Sequence, residues 1–429
     1  MDKQVIKTII GEKQHEIGRT RLIQRPVEFE ALVNYVLVGI RRAGKSFLMI
    51  QDMQTRIGKG EISVEDCLYI NFEDERLDGI RSAELGLLLD CYAEMFGLKK
   101  PCVYLDEIQL VDGWEKFARR LTDQKYRVMV TGSNAKMLSA EIATTLGGRY
   151  IIREVYPFSY EEYLEYHDIK LGVNWRYEPE TRLEVIRRFE EYFHFGGFAE
   201  AFPIVGKREW INSLYQKILM GDIVARNGIR NDRSIRLLAR KVAESVMQPS
   251  ALSRLQHIIK STGETISIPT LKDYLQYMES CYLIFAIPNF VSPVTDQETI
   301  KKRYYYDNGL LNNFLFNGET KLLENICAIH LAKKFPNTDE IRLFYYNRNI
   351  EVDFYVPETG LAVQASYNIS DSDTRCREIN ALVQLNKAFP LQRALIVTRD
   401  QEEHLSEGGL DIEVIPVWKW LLESWNYSF

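Results

Sequence analysis

The chain has 429 residues, and a usual domain length of about 150 residues predicts roughly three domains. Its 54 lysines and arginines nearly balance 60 aspartates and glutamates, for a formal net charge of -6, and 46% of the residues are hydrophobic. This composition is that of a globular protein, and it excludes wholesale disorder and a collagen-like fibre. Because no uncharged apolar run reaches about 18 residues and the chain does not start like a signal peptide, we expect a cytoplasmic protein without a membrane partner.

Cysteine and histidine spacing predicts no metal site or disulfide framework. The six cysteines are scattered without a C-x-x-C pair, and the six histidines form no H-E-x-x-H motif. Zinc sites and small disulfide scaffolds normally place these residues at short, regular intervals. We therefore expect buried, reduced thiols.

The first third of the chain predicts strands that alternate with helices. Five apolar runs of strand length are separated by helix-patterned stretches such as residues 47–57 and 114–124. The runs cover residues 35–38, 68–72, 103–105, 128–131 and 150–155. This alternation is typical of an α/β fold in which helices cover both faces of a parallel sheet.

A phosphate-binding motif follows the first predicted strand directly. Eight residues match G-x-x-x-x-G-K-[ST], and they are Gly39, Ile40, Arg41, Arg42, Ala43, Gly44, Lys45 and Ser46. The glycines allow a tight turn that aims successive N–H groups at a β-phosphate. Lys45 supplies a cation for the β- and γ-phosphates, and the Ser46 hydroxyl can ligate Mg²⁺. We therefore predict ATP as ligand and Mg²⁺ as cofactor.

A second element of a nucleotide site ends the third predicted strand. The apolar residues 102–105 lead into Asp106 and Glu107, at the strand end where open α/β sheets build their sites. We predict that Asp106 holds Mg²⁺ and that Glu107 orients and deprotonates the attacking water. A pair of acids after a strand also occurs in ordinary helix-starting turns.

The fourth predicted strand ends in short polar side chains. Ser133 and Asn134 follow residues 128–131 and would lie where a γ-phosphate sensor is needed, between the two preceding motifs. They are equally suited to cap the helix predicted at residues 135–140.

Together, these three elements resemble the additional-strand catalytic-glutamate branch of P-loop ATPases, which includes the AAA-type ATPases. The resemblance implies that the strand ending before Ser133 lies between the strand of the P-loop and the strand of Asp106.

Further segments extend the resemblance over nearly the whole chain. Residues 146–149 (LGGR), 156–164 (YPFSYEEYL) and 196–200 (GGFAE) resemble predicted prokaryotic AAA-type ATPases with an uncharacterised C-terminal nuclease-like domain. In that family Arg149 matches a glycine-arginine element, which implies stabilisation of transition-state charge in its own or a neighbouring subunit. A homo-oligomer is therefore left open. A salt bridge that anchors the fifth strand is an equal alternative for Arg149.

The middle of the chain is basic and helical. Residues 207–260 contain eleven basic and four acidic residues, although the whole chain is acidic. Any attraction to nucleic acid would therefore be local. Solvated helices with basic outer faces are the plainer interpretation.

Two helices and two strands in this region predict a winged-helix-like segment. The helices cover residues 252–260 and 269–278, and the strands cover 282–287 and 303–307. Such domains often place the second helix in a DNA major groove, where Lys272, Gln276 and residues 301–303 (KKR) would make contacts. They also serve as packing and protein-binding modules.

The last part of the chain resembles a restriction-endonuclease-like core in its order of helices and strands. The resemblance implies that Glu324 matches the helix acid and Asp353 the strand acid of a metal site. The third element departs from the pattern, because Gln364 stands for an acid and Ser366 for a lysine. Neither residue supplies the charge that metal-assisted hydrolysis needs. We therefore predict a degenerate nuclease-like domain.

These expectations combine into three domains and one activity. We predict an AAA-type ATPase domain over residues 1–205, a winged-helix-like domain over 206–315 and the degenerate domain over 316–429. The predicted function is Mg²⁺-dependent ATP hydrolysis that drives or gates action on DNA. The alternative is an ATP-gated switch that holds a protein partner without nucleic acid, and an active nuclease is the least favoured function.

Overall fold

The computed structural model of the protein describes residues 1–133, 146–336 and 340–423. The chain forms two compact units. The N-terminal unit comprises Met1–Tyr156 with Ser280–Tyr282, and the C-terminal unit comprises Pro157–Glu279 and the chain from Leu283 onward. The division into three domains stays a prediction, and residues 157–205 belong to the C-terminal unit.

A five-stranded parallel sheet forms the centre of the N-terminal unit. Its strands are β1 (Asn34–Val38), β2 (Cys67–Asn71), β3 (Cys102–Asp106), β4 (Val128–Gly132) and β5 (Tyr150–Glu154). They lie in the order β2-β3-β4-β1-β5, and all neighbours are parallel. The predicted α/β class is thereby confirmed, and β4 lies between β1 and β3 as the resemblance implied.

Helices pack against this sheet. Those of the N-terminal unit are α1 (Lys3–Ile17), α2 (Lys45–Gly58), α3 (Gly86–Phe96) and α4 (Trp114–Asp123). Successive residues of β1 to β4 are buried, so both faces of these strands are covered, as in other parallel sheets. Among the helices of the described residues, none is long and apolar enough to cross a membrane.

The C-terminal unit begins with helices. They are α5 (Tyr160–Tyr166), α6 (Pro179–Phe195), α7 (Lys207–Lys217), α8 (Asp232–Glu244), α9 (Leu252–Ser261) and α10 (Ile268–Ser280). α7 continues into a π-helical segment, Ile218–Ala225. A glycine pair ends α6 because a Cβ on Gly196 would lie 2.1 Å from the carboxylate of Asp307, which accepts a hydrogen bond from the N–H of Gly197 at 2.7 Å.

A three-stranded antiparallel sheet accompanies α9 and α10 in this unit. It consists of β6 (Ser250–Ala251), β7 (Ile284–Pro288) and β8 (Ile300–Tyr305), in the order β6-β8-β7. Two helices followed by two strands match the order predicted from sequence. A short helix that we did not predict, α11 (Val294–Thr299), lies between β7 and β8.

A mixed six-stranded sheet completes the C-terminal unit. Its strands are β9 (Phe344–Asn347), β10 (Glu351–Val356), β11 (Leu361–Ala365), β12 (Arg393–Thr398), β13 (Glu403–Glu407) and β14 (Leu410–Pro416), in the order β13-β14-β12-β11-β10-β9. The accompanying helices are α12 (Asn308–Asn312), α13 (Glu319–Lys334), α14 (Ser372–Ala388) and α15 (Val417–Trp420). Apolar residues of α14, such as Leu382 and Leu385, pack on Val352, Ile396 and other strand residues to form the core.

The sequence does not predict strand β13. Apart from Leu405 its residues are polar, and most are exposed, so it lacks the apolar run by which strands are recognised. It pairs with β14 through a turn at Gly408 and Gly409, both of which have positive φ angles. This pair of glycines is a typical hairpin signal, and it could have indicated the strand.

Candidate functional site

The P-loop runs from the end of β1 into the start of α2. Gly39 and Gly44 have φ angles of +143° and +95°, in backbone regions that favour glycine. A Cβ on Gly39 would lie 2.2 Å from the carbonyl oxygen of Val155, so a side chain has no room there. Gly44 is the N-cap of α2 and offers no capping side chain, which suits a helix start that receives an anion.

Lys45 is directed into this loop. Its side chain is 3% exposed, and Nζ donates hydrogen bonds to the carbonyl oxygens of Gly39 and Ile40, each at 3.0 Å. The same Nζ lies 4.0 Å from Glu107 Oε1, across from the end of β3. The P-loop and the Asp106–Glu107 pair therefore lie side by side in the structure.

Asp106 is fully buried at the end of β3. Its two carboxylate oxygens accept hydrogen bonds from the hydroxyl groups of Tyr69 and Thr131, which come from the neighbouring strands β2 and β4. Burial and the adjacent Asp106 carboxylate raise the pKa of Tyr69 above its usual range, so its hydroxyl remains a donor. The two hydroxyl groups hold the carboxylate in one orientation.

Glu107 leaves the strand in an unusual conformation. Its φ angle is +53°, and its N–H donates to Thr131 Oγ1 at 2.8 Å. The Glu107 carboxylate accepts a hydrogen bond from Gln109 Nε2, and this same nitrogen lies 3.5 Å from Ser133 Oγ. Glu107, Gln109 and Ser133 thus form one polar group beside Lys45.

Ser133 is buried after β4, and Asn134 lies outside the described residues. Three further residues of this site are not among those predicted from the sequence, namely Tyr69, Thr131 and Gln109. Thr131 and Gln109 are each two residues from a predicted site residue, a spacing that could have drawn attention to them. Tyr69 lies on β2, which carries no motif, so only strand order reveals its role.

Arg149 lies at the opposite edge of the sheet. It precedes β5, whose first residue pairs with Asn34 at the start of β1, about 15 Å along the strands from the P-loop. Its Nε donates to Asp123 Oδ1 at 2.9 Å. The geometry therefore corrects the suggestion that Arg149 reaches the phosphates of its own chain. It matches the salt-bridge alternative, and a role towards a neighbouring subunit stays a prediction.

The oxygen groups of this site suit Mg²⁺. The ion is usually bound by one or two carboxylates together with substrate phosphates and water. Asp106 supplies an oriented carboxylate, and Ser46 supplies a hydroxyl in the first turn of α2. Each Asp106 oxygen accepts one hydrogen bond and keeps a further lone pair, so the site fits the ion with water between them.

A second cluster of charged residues lies in the C-terminal unit around Lys302 of β8. Lys302 is 0% exposed, and its Nζ lies 2.8 Å from Asp353, 2.9 Å from Glu351 and 3.3 Å from Glu324. Tyr304 also donates to Glu324 at 2.7 Å. Burial alone would lower the pKa of Lys302, but the surrounding carboxylates raise it well above its usual value. The two predicted acids of the nuclease-like site therefore meet around a lysine.

The other two nuclease-like positions are occupied differently. Gln364 accepts a hydrogen bond from the Asp353 N–H at 2.8 Å and donates to the Glu351 carbonyl at 3.0 Å. Ser366 is buried, and its N–H donates to the Val397 carbonyl. The side-chain amide of Gln364 on β11 thus joins this strand to β10 through two hydrogen bonds. The sequence assigned Lys302 to a DNA contact and gave no sign of Glu351, since neither residue lies in the nuclease-like motif.

Two of the DNA contacts suggested from sequence are wrong. Lys302 and Arg303 are 0% and 6% exposed, because β8 is the central strand of its sheet, and so they cannot reach phosphates. Lys301 is partly exposed and pairs with Glu298 at 3.4 Å. Lys272 and Gln276 are exposed on α10.

Much of the basic charge in residues 207–260 is paired. Four arginines there lie 2.8 to 3.7 Å from acids, as Arg226–Asp222, Arg233–Glu264, Arg236–Asp232 and Arg240–Glu244. Local pairing reduces the field that a phosphate backbone would meet.

Comparison with known proteins defines the class. Residues 34–164 match the AAA domain family, and residues 186–321 match a domain family of unknown function. Together with the parallel sheet and the P-loop, the first match identifies residues 34–164 as an AAA-type P-loop domain.

Relatives over the whole length are known. An uncharacterized protein of Methanocaldococcus jannaschii, MJ1544, is 31% identical, and the match covers 98% of this chain and 96% of that protein. The chain belongs to the same protein family as MJ1544. An uncharacterized protein of Haemophilus influenzae is 27% identical over 95% of this chain and 99% of its own length.

Solved structures resemble the chain more distantly. A Walker-type ATPase of Pyrococcus abyssi is 17% identical, with a TM-score of 0.37, over 71% of this chain and 95% of that chain. The Aeropyrum pernix Orc1 protein, solved in complex with DNA, is 13% identical with a TM-score of 0.28, over 77% of this chain and 94% of that chain.

Proposed function

We propose that this protein binds ATP with Mg²⁺ and hydrolyses it to ADP and phosphate. The observation that carries the proposal is the 4.0 Å approach of Lys45 Nζ to Glu107 Oε1. It brings the phosphate-binding cation beside the acid best placed to act as a base.

The P-loop would hold the phosphates. Its backbone N–H groups and the start of α2 face the β-phosphate, and Lys45 exchanges its two carbonyl partners for phosphate oxygens. Ser46 and Asp106 would hold Mg²⁺. When bound, the ion would neutralise charge on the β- and γ-phosphates.

Glu107 would act on the water. As the water oxygen attacks the γ-phosphorus, the bond to the β,γ-bridging oxygen breaks and one water proton passes to the Glu107 carboxylate. Lys45 stabilises the charge that develops on the β-phosphate of the departing ADP. The hydrogen bonds from Tyr69 and Thr131 keep Asp106 in place while this happens.

We further propose that hydrolysis drives or gates action on DNA. The support is the order of α9, α10, β7 and β8, which is that of a winged-helix-like segment, with Lys272 and Gln276 exposed on its second helix. An ATP-gated switch that holds a protein partner is the second candidate. It is favoured by the burial of Lys302 and Arg303 and by the pairing of basic residues in 207–260.

The two candidates predict different behaviour in salt. If Lys272 contacts a phosphate, Lys272→Ala should flatten the slope of log affinity for duplex DNA against log salt by about 0.9. Lys116→Ala, an exposed lysine on α4, is the matched control and should leave the slope unchanged. The same purified protein should be assayed for ATP hydrolysis with and without duplex DNA. No affinity at low salt and no effect of DNA on turnover would favour the protein-partner switch.

A further inference from the structure

We propose that Gln109 is a positioning residue for hydrolysis, which holds both the Glu107 carboxylate and the attacking water. The inference rests on the proposed ATPase function. It assigns the water a second contact that the P-loop and the two acids do not provide.

The orientation of the Gln109 amide follows from its partner. A carboxylate can only accept hydrogen bonds, so the nitrogen of the amide must face Glu107. That nitrogen also lies 3.5 Å from Ser133 Oγ. The oxygen Oε1 is then turned to the other side of the amide.

This oxygen lacks a hydrogen-bond partner among the described residues. Oε1 of Gln109 is buried, and within the part of the chain that the structure describes it accepts no hydrogen bond. Buried amide oxygens are nearly always paired, and an exception calls for a physical explanation. Here the orphaned acceptor lies beside the acid that takes a proton from water.

A water molecule can supply the donor that Gln109 Oε1 lacks. One of its O–H groups can donate to Glu107 and the other to Gln109 Oε1, which leaves an oxygen lone pair free to attack phosphorus. The two hydrogen bonds fix the direction of the water's lone pair. The attack on phosphorus then starts from an oriented molecule and does not depend on a diffusional encounter. Only the proton on Glu107 is transferred in the step, and Gln109 is unchanged.

The local backbone can hold Gln109 in position. The residue lies in a 3-10 turn, Ile108–Leu110, directly after β3. The Leu110 N–H donates to the Glu107 carbonyl at 3.1 Å, and the Val111 N–H donates to the Ile108 carbonyl at 3.0 Å. Gln109 and Glu107 are thus carried on one short, hydrogen-bonded segment.

The test compares Gln109→Ala and Gln109→Glu with the wild type in steady-state ATP hydrolysis and in binding of a fluorescent ATP analogue. We expect Gln109→Ala to lower kcat roughly 10- to 100-fold while KM and analogue affinity stay within about twofold, because only the water loses a contact. Gln124→Ala, an exposed glutamine at the end of α4, is the matched control and should keep the wild-type kcat.

The pH profile separates positioning from mere packing. Gln109→Glu keeps the size of the side chain but puts a second carboxylate against Glu107. Because like charges repel, the pKa of the pair should rise, and the acidic side of the kcat–pH profile should shift to higher pH. If Gln109→Ala does not fold, this variant alone carries the test. A wild-type kcat in Gln109→Ala, or an unshifted acidic side of the profile in a folded Gln109→Glu, would overturn the inference. Absence of hydrolysis by the wild type would instead defeat the proposed function.

Discussion

Lys302 Nζ lies 2.8 Å from Asp353 Oδ1, and the lysine of this ion pair is fully buried while the Asp353 side chain is 15% exposed. It links β8 of the three-stranded sheet to β10 of the six-stranded sheet. The same ammonium contacts Glu324 and Glu351, so a side chain of the protein supplies the cation that this acidic cluster needs. An intact buried charge cluster adds little net stability over well-packed apolar residues. Removal of one of its partners, however, is strongly destabilising.

Removal of the lysine should destabilise the fold strongly. Lys302→Met leaves buried carboxylates without their cation, and we expect a loss of about 3 to 5 kcal/mol in the free energy of unfolding. Lys301→Met is the neighbouring control, since that lysine is partly exposed and its pair with Glu298 contributes less than about 1 kcal/mol. Urea denaturation followed by fluorescence measures both. Equal losses in the two variants would contradict this account.

Glu324 should make stability depend on pH. Burial, together with the nearby Asp353, raises its pKa in the folded protein to about 8, from an ordinary value of 4.5. The folded state therefore binds more protons than the unfolded state between these values. The stabilisation that Glu324 contributes to the folded state through its raised pKa is fully present below pH 4.5, and it is lost as the pH rises through about 8. Glu324→Gln should remove this part of the dependence.

The measurement is the free energy of unfolding of wild type and Glu324→Gln from pH 5 to pH 8.5. We expect the wild type to lose stability relative to the variant as the pH rises. Parallel curves over this range would show that Glu324 does not hold a raised pKa.

The C-terminal unit should not cut nucleic acid. Lys302 occupies the centre of the acidic cluster, Gln364 is engaged by the backbone of β10, and Ser366 brings no charge. Because Lys302 is fully buried and paired with these acids, we expect no side chain among the described residues there to lower the pKa of a water or to stabilise a developing phosphate charge. Single-stranded, duplex and branched DNA and RNA, incubated with ATP and Mg²⁺ or Mn²⁺, should remain intact. Cleavage that disappears in Asp353→Ala would prove the site active.

Binding and hydrolysis of ATP should separate in two variants. Lys45→Ala removes the side-chain cation that is directed into the P-loop, so it should abolish nucleotide binding. Glu107→Gln keeps the size of the side chain but not its basicity, so binding should persist while turnover falls by about 10²-fold or more. Glu65→Gln, an exposed acid just before β2, is the control. Unchanged turnover in Glu107→Gln would refute its assignment as base.

The sequence indicated the N-terminal fold well because its signals are local. Apolar runs of five or so residues mark β1 to β4, and the P-loop motif follows β1 within a few residues. Such patterns depend only on neighbours in the chain. Polar β13 shows the limit, since a strand on the sheet edge buries little and carries no apolar pattern.

The sequence by itself determined the parallel α/β sheet, the position of the P-loop and the pairing of Asp106 with Glu107 at a strand end. Only the tertiary structure decided that Tyr69 and Thr131 hold Asp106, that Arg149 lies at the far edge of the sheet, and that Lys302 is buried among acids. These relationships join residues between 22 and 115 positions apart, from Lys302 and Glu324 to Asn34 and Arg149. No local pattern encodes them, because strand order and packing set which distant side chains meet.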